Sequence, residues 1–172
     1  SELISSSLPS SDYLVQMAKG AFSPKIQRFA KNPIIKPVAK NWWESKATFN
    51  AAAIYEAGRM HLLYRAIGDD DVSVIGYASS GDGYHFDVRL EEPVYVPREK
   101  FEGAVPKHRL KKTPKESPFM SGGGGCGGCE DPRLTKIDDT IYMTYVAYDG
   151  YSGPRVALTS IKVDDFINHR WN

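Results

Sequence analysis

The chain changes character near Asn50, where short runs of alternating apolar and polar residues begin. Residues 54–55 and 60–66 are two such runs, separated by a glycine-containing turn, which is typical of a β-hairpin. An acidic turn at residues 69–71 leads into a third apolar run, residues 72–80. The pattern therefore predicts β-strands joined by tight turns from Asn50 onward.

The same order of runs and turns returns after Asp131. A shift of 81 positions (131 − 50) brings Asn50 onto Asp131 and residues 63–66 onto residues 144–147. One face of a period-two strand then repeats, because Met60, Leu62 and Tyr64 fall on Ile141, Met143 and Tyr145. This agreement predicts an internal repeat.

The later parts of the two copies also correspond. Residues 76–79 resemble residues 155–158, and the turn at 82–86 resembles residues 162–166. We interpret the chain as two copies of a four-strand unit. About four short strands in about forty residues is the content of one blade of a β-propeller.

The repeat divides the chain into segments. Residues 1–31 form an N-terminal extension that is mildly helical through residues 12–19. The first strand unit covers about residues 50–90, and the second covers about residues 129–168. Residues 91–128 are an irregular loop insertion between them.

Composition narrows the classes of partner. With 22 Lys and Arg against 21 Asp and Glu, the net charge of +1 indicates neither a nucleic-acid nor a membrane partner. Residues 106–115 are locally basic, but no aromatic residue is interleaved, so a solvated loop is favoured over a nucleic-acid patch. Because the insertion leads directly to Asp131, we expect it to form an active-site rim. Without a signal peptide or a long apolar run, we expect a cytoplasmic protein.

Cysteine and histidine give no metal site. Cys126 and Cys129 form a C-x-x-C pair, but it lies in a glycine run without a second pair. The histidines are scattered without ligand spacing, at His61, His85, His108 and His169. Two loop thiols are the favoured interpretation, with a labile disulfide as the alternative.

The richest candidate chemistry lies at residues 127–133, where two glycines precede Cys-Glu-Asp-Pro-Arg. Glycine gives the backbone access to unusual conformations, and proline fixes the backbone angle after Asp131. A carboxylate held firmly at the entrance of a strand suits proton transfer, because position matters before pKa does. The alternative for this segment alone is an Asp-Pro turn with Arg133 on the surface.

A series of short motifs connects these observations. In order, they are Asn32-Pro33-Ile34-Ile35, Phe49-Asn50, Leu63-Tyr64-Arg65-Ala66, Ala78-Ser79-Ser80-Gly81-Asp82-Gly83-Tyr84-His85-Phe86 and Glu130-Asp131-Pro132-Arg133. The series resembles glycoside hydrolase family 130, the β-mannoside phosphorylases and β-1,2-mannosidases, over about residues 32–172. The resemblance implies an all-β fold, a five-bladed β-propeller with its active site in the axial funnel. This chain would carry the N-terminal portion, about two blades of a partial catalytic domain.

The resemblance also implies roles for individual residues. Asp131 matches the catalytic acid, which protonates the leaving oxygen through a hydroxyl of the mannose. Arg65 matches the arginine of the sugar subsite, and Asn50, Glu130 and Arg133 are assigned to substrate binding. Arg155 is placed like a phosphate-binding arginine. For each arginine alone, a surface ion pair is the alternative. Asp82 is favoured as a turn former over a sugar ligand.

Three functions remain in competition at this point. The leading one is inverting phosphorolysis of β-mannosides to mannose 1-phosphate, with inorganic phosphate as co-substrate and no cofactor. The second is a β-1,2-mannosidase, which needs a carboxylate base to activate water. The third is a truncated, non-catalytic glycan-binding or assembly module. We expect a homo-oligomer, or a partner surface supplied by the remainder of the propeller, and little activity from the isolated chain. The side chains expected at risk of exposure are Met60, Leu62, Ile141 and Met143.

Overall fold

The computed structural model describes residues 26–103 and 126–171. The chain divides into two compact units, residues 1–32 and residues 33–172. In the first unit, the described residues 26–32 contain no helix or strand, and the expected helix at residues 12–19 lies outside the described residues.

The second unit is built from strands, which confirms the all-β class for the described residues. Its strands are β1 (Ala47–Glu56), β2 (Arg59–Ile67), β3 (Ser73–Ser80), β4 (Val88–Arg89), β5 (Gly128–Ile137), β6 (Thr140–Tyr148) and β7 (Arg155–Lys162). A short 3₁₀ turn, Lys100–Glu102, precedes β5, and a five-residue helix, α1 (Val163–Ile167), follows β7.

The strands form one mixed sheet in the order β1-β2-β3-β5-β6-β7, with β4 paired to β3. Neighbours pair in antiparallel fashion except β3 and β5, which meet in parallel through Ser73 and Gly128. A Cβ at Gly128 would lie 2.1 Å from the carbonyl oxygen of Ser73, and Gly128 has a φ of +115°. Glycine is therefore required where the two halves of the sheet join.

The internal repeat at a spacing of 81 is confirmed by the strand registers. Phe49 pairs with Arg65 and Glu130 pairs with Val146, so both partners shift by 81 (49 + 81 = 130, 65 + 81 = 146). Both first strands also break their register at equivalent places, between Phe49 and Ala52 and between Glu130 and Arg133. We call β1–β3 the first repeat and β5–β7 the second repeat.

The sequence alignment of the third strands was wrong by two positions. Ala66 pairs with Val74, and Ala147 pairs with Arg155, so Arg155 is equivalent to Val74 (155 − 81 = 74). The sequence comparison had placed Gly76 on Arg155. The third strands share few residue types, so sequence similarity did not fix their register.

The two repeats also end differently. After the first repeat the chain turns and forms the short strand β4, whereas after the second repeat it forms helix α1. Phe166 in this helix is fully buried. The expected match of residues 162–166 to the turn at 82–86 is therefore wrong, and the described part of the second copy has three strands followed by a helix.

Two apolar cores hold the strands together. The larger lies between the facing sides of the two repeats and includes Leu63, Ile75, Tyr77, Cys129, Ile141, Met143, Tyr145 and Phe166. The smaller covers the other side of the first repeat and includes Trp43, Tyr64, Ala66, Val74 and Ala78, with Ile35 packed against it. The first repeat is therefore covered on both sides.

The outer side of the second repeat is exposed instead. Leu62, Ile141 and Met143 are buried and Met60 is partly buried, so the expected exposure of these residues is wrong. The exposed apolar side chains are Val156 and Leu158, at 82% and 64%. Strand alternation had separated the two faces correctly but could not tell which face is covered.

Residues 91–103, the described start of the expected loop insertion, pack on the sheet. Tyr95 forms a bridge with Ile75, and Glu102 is buried at the end of the 3₁₀ turn. The basic stretch at residues 106–115 lies outside the described residues. The division into blade units and the rim role of the insertion remain predictions.

Candidate active site

Two backbone irregularities position the polar residues of the site. Asn50 and Asp131 lie in the β-bulges of β1 and β5, with left-handed φ values of 47° and 50°. Asn and Asp tolerate this conformation better than other non-glycine residues. Pro132 follows Asp131 and disfavours the right-handed helical conformation before it. A bulge redirects a side chain relative to the strand, and here it does so at equivalent positions of both repeats.

The redirected side chains meet. Nδ2 of Asn50 donates a hydrogen bond to Oδ1 of Asp131 at 2.8 Å. Nη1 of Arg65 donates to the same oxygen at 3.3 Å. The Asp131 side chain is 30% exposed, so it is fixed by two donors while remaining open to solvent. This arrangement is suited to a carboxyl group that must be held at one place and still reach a ligand.

Arg65 is the buried centre of the group. Its side chain is 1% exposed, and Nη2 donates to Oε1 of Glu130 at 2.9 Å. Nε donates to Oγ of Ser73 at 3.0 Å, and the guanidinium carbon lies 4.8 Å from the centroid of the Phe49 ring. Burying a charge is costly unless the charge is paired and hydrogen-bonded. The guanidinium of Arg65 has carboxylates as ion-pair partners and the Ser73 hydroxyl as a hydrogen-bond partner.

Glu130 is buried with Arg65. Its exposed fraction is 5%, and its Oε1 also accepts a hydrogen bond from Oγ of Ser73 at 3.2 Å. The sequence assigned Glu130 to substrate binding, but the structure surrounds its carboxylate with protein groups. Ser73 and Phe49 received no role from the sequence, because a serine and a phenylalanine at strand positions carry no signal of their own.

Arg133 and Arg155 lie apart from this cluster in their contacts. Arg133 is exposed and donates from Nη1 to the carbonyl oxygen of Pro132 at 3.2 Å. Arg155 begins β7 and lies 3.7 Å from a carboxylate oxygen of Asp149. The structure therefore brings together Asn50, Arg65, Glu130 and Asp131, and it gives Arg155 an exposed ion pair.

A second buried carboxylate lies on the other side of β5. Glu102 is fully buried and accepts hydrogen bonds from the hydroxyls of Tyr145 and Tyr95 and from the backbone N–H groups of Arg98 and Glu99. Burial alone would raise the pKa of Glu102, but these donors outweigh it and the pKa is lowered. This network ties residues 98–103 to β6. The sequence did not predict this network, because a single Glu in an irregular segment is usually a surface residue.

Cys126 and Cys129 are free thiols. Burial raises the pKa of both, more strongly for Cys129, which is fully buried beside Glu102. A thiol with a raised pKa is a poor nucleophile at neutral pH, because the thiolate is the reactive form. Free thiols are therefore favoured over redox chemistry, but the prediction of two loop thiols is wrong for Cys129, which lies in β5.

Asp82 forms a turn, as the sequence favoured. Its Oδ1 accepts hydrogen bonds from the backbone N–H groups of Tyr84 and His85, and its Oδ2 pairs with Nδ1 of His85 at 2.7 Å. The side chain of His85, followed by these backbone donors, lowers the pKa of Asp82. All of these partners are local, which is the behaviour of a turn-forming Asp.

Metal sites, membrane-spanning helices and cavities were sought in the described residues, 26–103 and 126–171. Residues 26–103 and 126–171 contain no cluster of three or more potential metal-binding side chains. No helix in them is long and apolar enough to cross a membrane. A cavity of about 300 Å³ lies between the repeats near Ile141, Phe166 and Trp171, and none of the predicted site residues lines it.

Two known phosphorylases are similar in sequence to this chain. No family model matches the chain. A β-1,2-mannobiose phosphorylase from Thermoanaerobacter sp. strain X514 is 32% identical over 157 residues, covering 84% of this chain and 44% of that protein. A 1,2-β-oligomannan phosphorylase from the same strain is 37% identical over 131 residues, covering 72% of this chain and 36% of that protein.

A solved structure is also similar to this chain. It comes from work on glycoside hydrolases that target β-1,2 mannosidic linkages in Candida mannan, within the GH130 family of mannoside phosphorylases. It has a TM-score of 0.57 and 29% identity, and the match covers 78% of this chain and 37% of that chain. The chain is therefore similar to a member of glycoside hydrolase family 130. It spans less than half the length of the relatives it matches.

Proposed function

We propose that the chain supplies part of the active site of a β-mannoside phosphorylase that releases mannose 1-phosphate with inversion. The observation that carries this proposal is the Asp131 carboxyl group, held at Oδ1 by Asn50 and Arg65 and open to solvent. The relatives in family 130 are phosphorylases of β-1,2-linked mannosides by name. A positioned carboxyl group is what protonation of a glycosidic leaving group requires.

In this proposal Asp131 is the general acid. A phosphate oxygen attacks the anomeric carbon of the mannosyl unit, and the bond from that carbon to the leaving oxygen breaks. The proton of Asp131 passes to a mannose hydroxyl, whose own proton passes to the leaving oxygen. Asn50 and Arg65 hold the carboxyl group in place, and the exposed part of Asn50 binds sugar hydroxyls. Arg133, which is exposed one residue beyond Pro132, is a further sugar contact.

Phosphate is the nucleophile we favour over water. Hydrolysis needs a second carboxylate as a base, and Glu130, the carboxylate beside Asp131, is buried and paired with Arg65. Phosphate is already anionic, so it needs cationic side chains rather than a base. Arg155 is the candidate cation, and it would leave its ion pair with Asp149 to bind phosphate. The reaction then requires no cofactor besides inorganic phosphate as co-substrate. Hydrolysis of β-1,2-mannosides is the alternative, since the family also contains such hydrolases.

We also propose that the two repeats are successive blades of a five-bladed β-propeller. Equivalent bulges in both first strands place Asn50 and Asp131 side by side, as expected for innermost strands around one axis. The exposed outer side of the second repeat is then the face that the next blade, or a second copy in a homo-oligomer, covers. A cytoplasmic location fits a phosphorylase, because inorganic phosphate is a substrate.

The experiment compares the wild type with Asp131→Asn in the whole protein. The assay measures mannose 1-phosphate and free mannose from a β-1,2-linked mannobiose, with and without inorganic phosphate. We expect phosphate-dependent mannose 1-phosphate from the wild type and a loss of at least about 1,000-fold in the variant, because an essential proton donor is removed. Free mannose without phosphate would favour the hydrolase, and a variant that retains most activity would refute the acid assignment. Absence of any turnover by a folded wild type would favour a non-catalytic glycan-binding module.

A further inference from the structure

We propose that Ser73 is a positioning residue for the reaction, because its hydroxyl sets the guanidinium of Arg65 in the orientation that holds Asp131. This inference rests on the proposed function, in which Asp131 is the general acid. With an exposed fraction of 0%, Ser73 acts through Arg65 and not on the substrate itself.

The hydroxyl of Ser73 lies between two buried ionisable side chains. Nε of Arg65 donates a hydrogen bond to Oγ of Ser73 at 3.0 Å, and this Oγ donates to Oε1 of Glu130 at 3.2 Å. A hydroxyl has one proton to donate and can accept as well, so both bonds are satisfied together. The hydroxyl therefore links a side chain of the first repeat, on β2, to a side chain of the second repeat, on β5.

The contact at Nε limits how the guanidinium can turn. The group is planar with N–H bonds in fixed directions, so a bond at Nε affects where Nη1 points. Nη1 is the atom that donates to Oδ1 of Asp131, at 3.3 Å. The Phe49 ring lies on the face of the guanidinium, and stacking of this kind leaves rotation within the plane to the hydrogen bonds. Arg65 makes further interactions, but Nε carries a single hydrogen, which Ser73 accepts.

The backbone of Ser73 is fixed at the junction of the two repeats. Its N–H donates to the carbonyl oxygen of Gly127 at 2.7 Å, and Ser73 pairs in parallel with Gly128. The hydroxyl is therefore carried by a residue whose main chain is held by both halves of the sheet. A short side chain on such a backbone has little freedom to move, which makes it a precise anchor for Arg65.

The second repeat forms without these side chains. The positions 81 residues after Arg65 and Ser73 are Val146 and Pro154. Strands β5–β7 nevertheless pair in the same antiparallel order as β1–β3. The hydroxyl of Ser73 is therefore not required to build a three-stranded repeat. It occurs in the repeat whose arginine reaches Asp131.

The test compares Ser73→Ala with Ser79→Ala in the whole protein. Ser79 is the matched control, because it is also buried on β3 and its Oγ also accepts a hydrogen bond from an arginine Nε, that of Arg59, at 3.1 Å. The assay measures kcat and KM for phosphorolysis of a β-1,2-linked mannobiose.

We expect Ser73→Ala to lower kcat about 10- to 100-fold, because a displacement of about 1 Å at a reacting group can cost about 100-fold. Its KM should stay within about 3-fold of the wild type, since Ser73 does not touch the substrate. Ser79→Ala should keep kcat within about 2-fold. An unchanged kcat in Ser73→Ala, or an equal fall in both variants, would overturn the inference and leave the proposed function intact.

A second readout does not depend on turnover. The Nε–H signal of Arg65, assigned through its side-chain carbons, is followed by NMR in each protein. We expect a changed chemical shift and faster exchange with water in Ser73→Ala, but not in Ser79→Ala. If the wild type shows no turnover and the signal changes in this way, the proposed function fails and the orienting role of Ser73 stands. An Arg65 signal unaffected by Ser73→Ala would refute that role.

Ser73→Cys replaces Ser73→Ala if the alanine variant does not fold. A thiol is close to a hydroxyl in size but is a weak donor and a weak acceptor, so it fills the site without holding Arg65 firmly. We expect the same fall in kcat at a similar KM and the same change in the Nε–H signal. A Ser73→Cys variant with the kcat and the Arg65 signal of the wild type would contradict the inference.

Discussion

Asn50 and Asp131 occupy equivalent positions of an internal repeat and are hydrogen-bonded to each other. They lie 81 residues apart, both adopt left-handed backbone conformations in a β-bulge, and Nδ2 of Asn50 lies 2.8 Å from Oδ1 of Asp131. One copy of the repeat supplies a neutral amide, and the other supplies an ionisable carboxyl group. A duplicated strand has thus given two complementary side chains at one place.

The first prediction separates the amide of Asn50 from its backbone conformation. Asn50→Gly keeps the left-handed conformation without strain and removes the hydrogen bond to Asp131. We expect kcat/KM for phosphorolysis in the whole protein to fall up to about 10-fold, since a hydrogen bond between neutral groups contributes about 0.5–1.5 kcal/mol. The free energy of unfolding should change by less than about 1.5 kcal/mol.

Ala57→Gly is the control for this change. Ala57 also has a positive φ, of 48°, but it lies in the turn between β1 and β2, away from the bulge. Glycine there should stabilise the protein by up to about 1 kcal/mol and leave kcat/KM unchanged. Equal activity of Asn50→Gly and the wild type would remove Asn50 from the site.

The second prediction concerns the junction between β3 and β5. In Gly128→Ala the new Cβ would meet the carbonyl oxygen of Ser73 at 2.1 Å, and the φ of +115° is strained for alanine. We expect a loss of more than about 2 kcal/mol in the free energy of unfolding, measured by urea denaturation. Gly153→Ala is the control, because a Cβ there meets nothing within 4 Å. The prediction is wrong if both variants lose less than about 0.5 kcal/mol.

The sequence predicted the hairpins and the repeat better than it predicted the environment of the site. Alternating apolar residues and acidic or glycine-containing turns mark β1–β2 and β5–β6, and local patterns of this kind survive in a single sequence. The burial of Glu130 against Arg65 and Ser73 depends on contacts across 65 and 57 positions, which no local pattern encodes. The ion pair of Glu130 with Arg65 therefore had no sequence signal, and the assignment of Glu130 to the substrate remains a prediction.

The third prediction is a pH dependence that comes from His61. This residue is 3% exposed, with Nδ1 2.7 Å from the hydroxyl of Tyr77 and Nε2 3.1 Å from the carbonyl oxygen of Glu56. Burial lowers the pKa of His61 below its ordinary value of 6.5, so the folded state favours the neutral ring. Below that value the unfolded state binds more protons than the folded state. Stability is therefore complete above about pH 6.5 and falls as the pH is lowered through the folded pKa.

Thermal unfolding measured between about pH 5 and pH 8 tests this dependence, which starts near the ordinary His value. In His61→Gln, which removes the titrating group, the fall in melting temperature between pH 6.5 and pH 5 should be smaller than in the wild type. The side-chain amide of Gln can still donate to the carbonyl oxygen of Glu56. An equally steep fall in both proteins would assign the effect to other groups.

The last prediction concerns the outer side of the second repeat. Val156 and Leu158 are 82% and 64% exposed, whereas their equivalents in the first repeat, Ile75 (156 − 81) and Tyr77 (158 − 81), are 0% and 1% exposed. Ile75 and Tyr77 are buried because the second repeat packs on them. Because the two repeats are equivalent, we expect the exposed face around Val156 and Leu158 to be covered by another sheet in the same way.

Two adjacent exposed branched side chains on a sheet favour association. We therefore expect the isolated 172-residue chain to self-associate in light scattering at micromolar concentration, and the double variant Val156→Asp, Leu158→Asp to be monomeric. Tyr55→Asp, which changes a 69% exposed side chain on β1, should leave association unchanged. In the isolated chain the double variant should alter the free energy of unfolding by less than about 1 kcal/mol, because both positions are exposed there. In the whole protein the same variant should be strongly destabilising, since two charges would be buried between sheets. A monomeric wild-type chain, or a whole protein that tolerates both aspartates, would show that this face is open to solvent in the functional molecule.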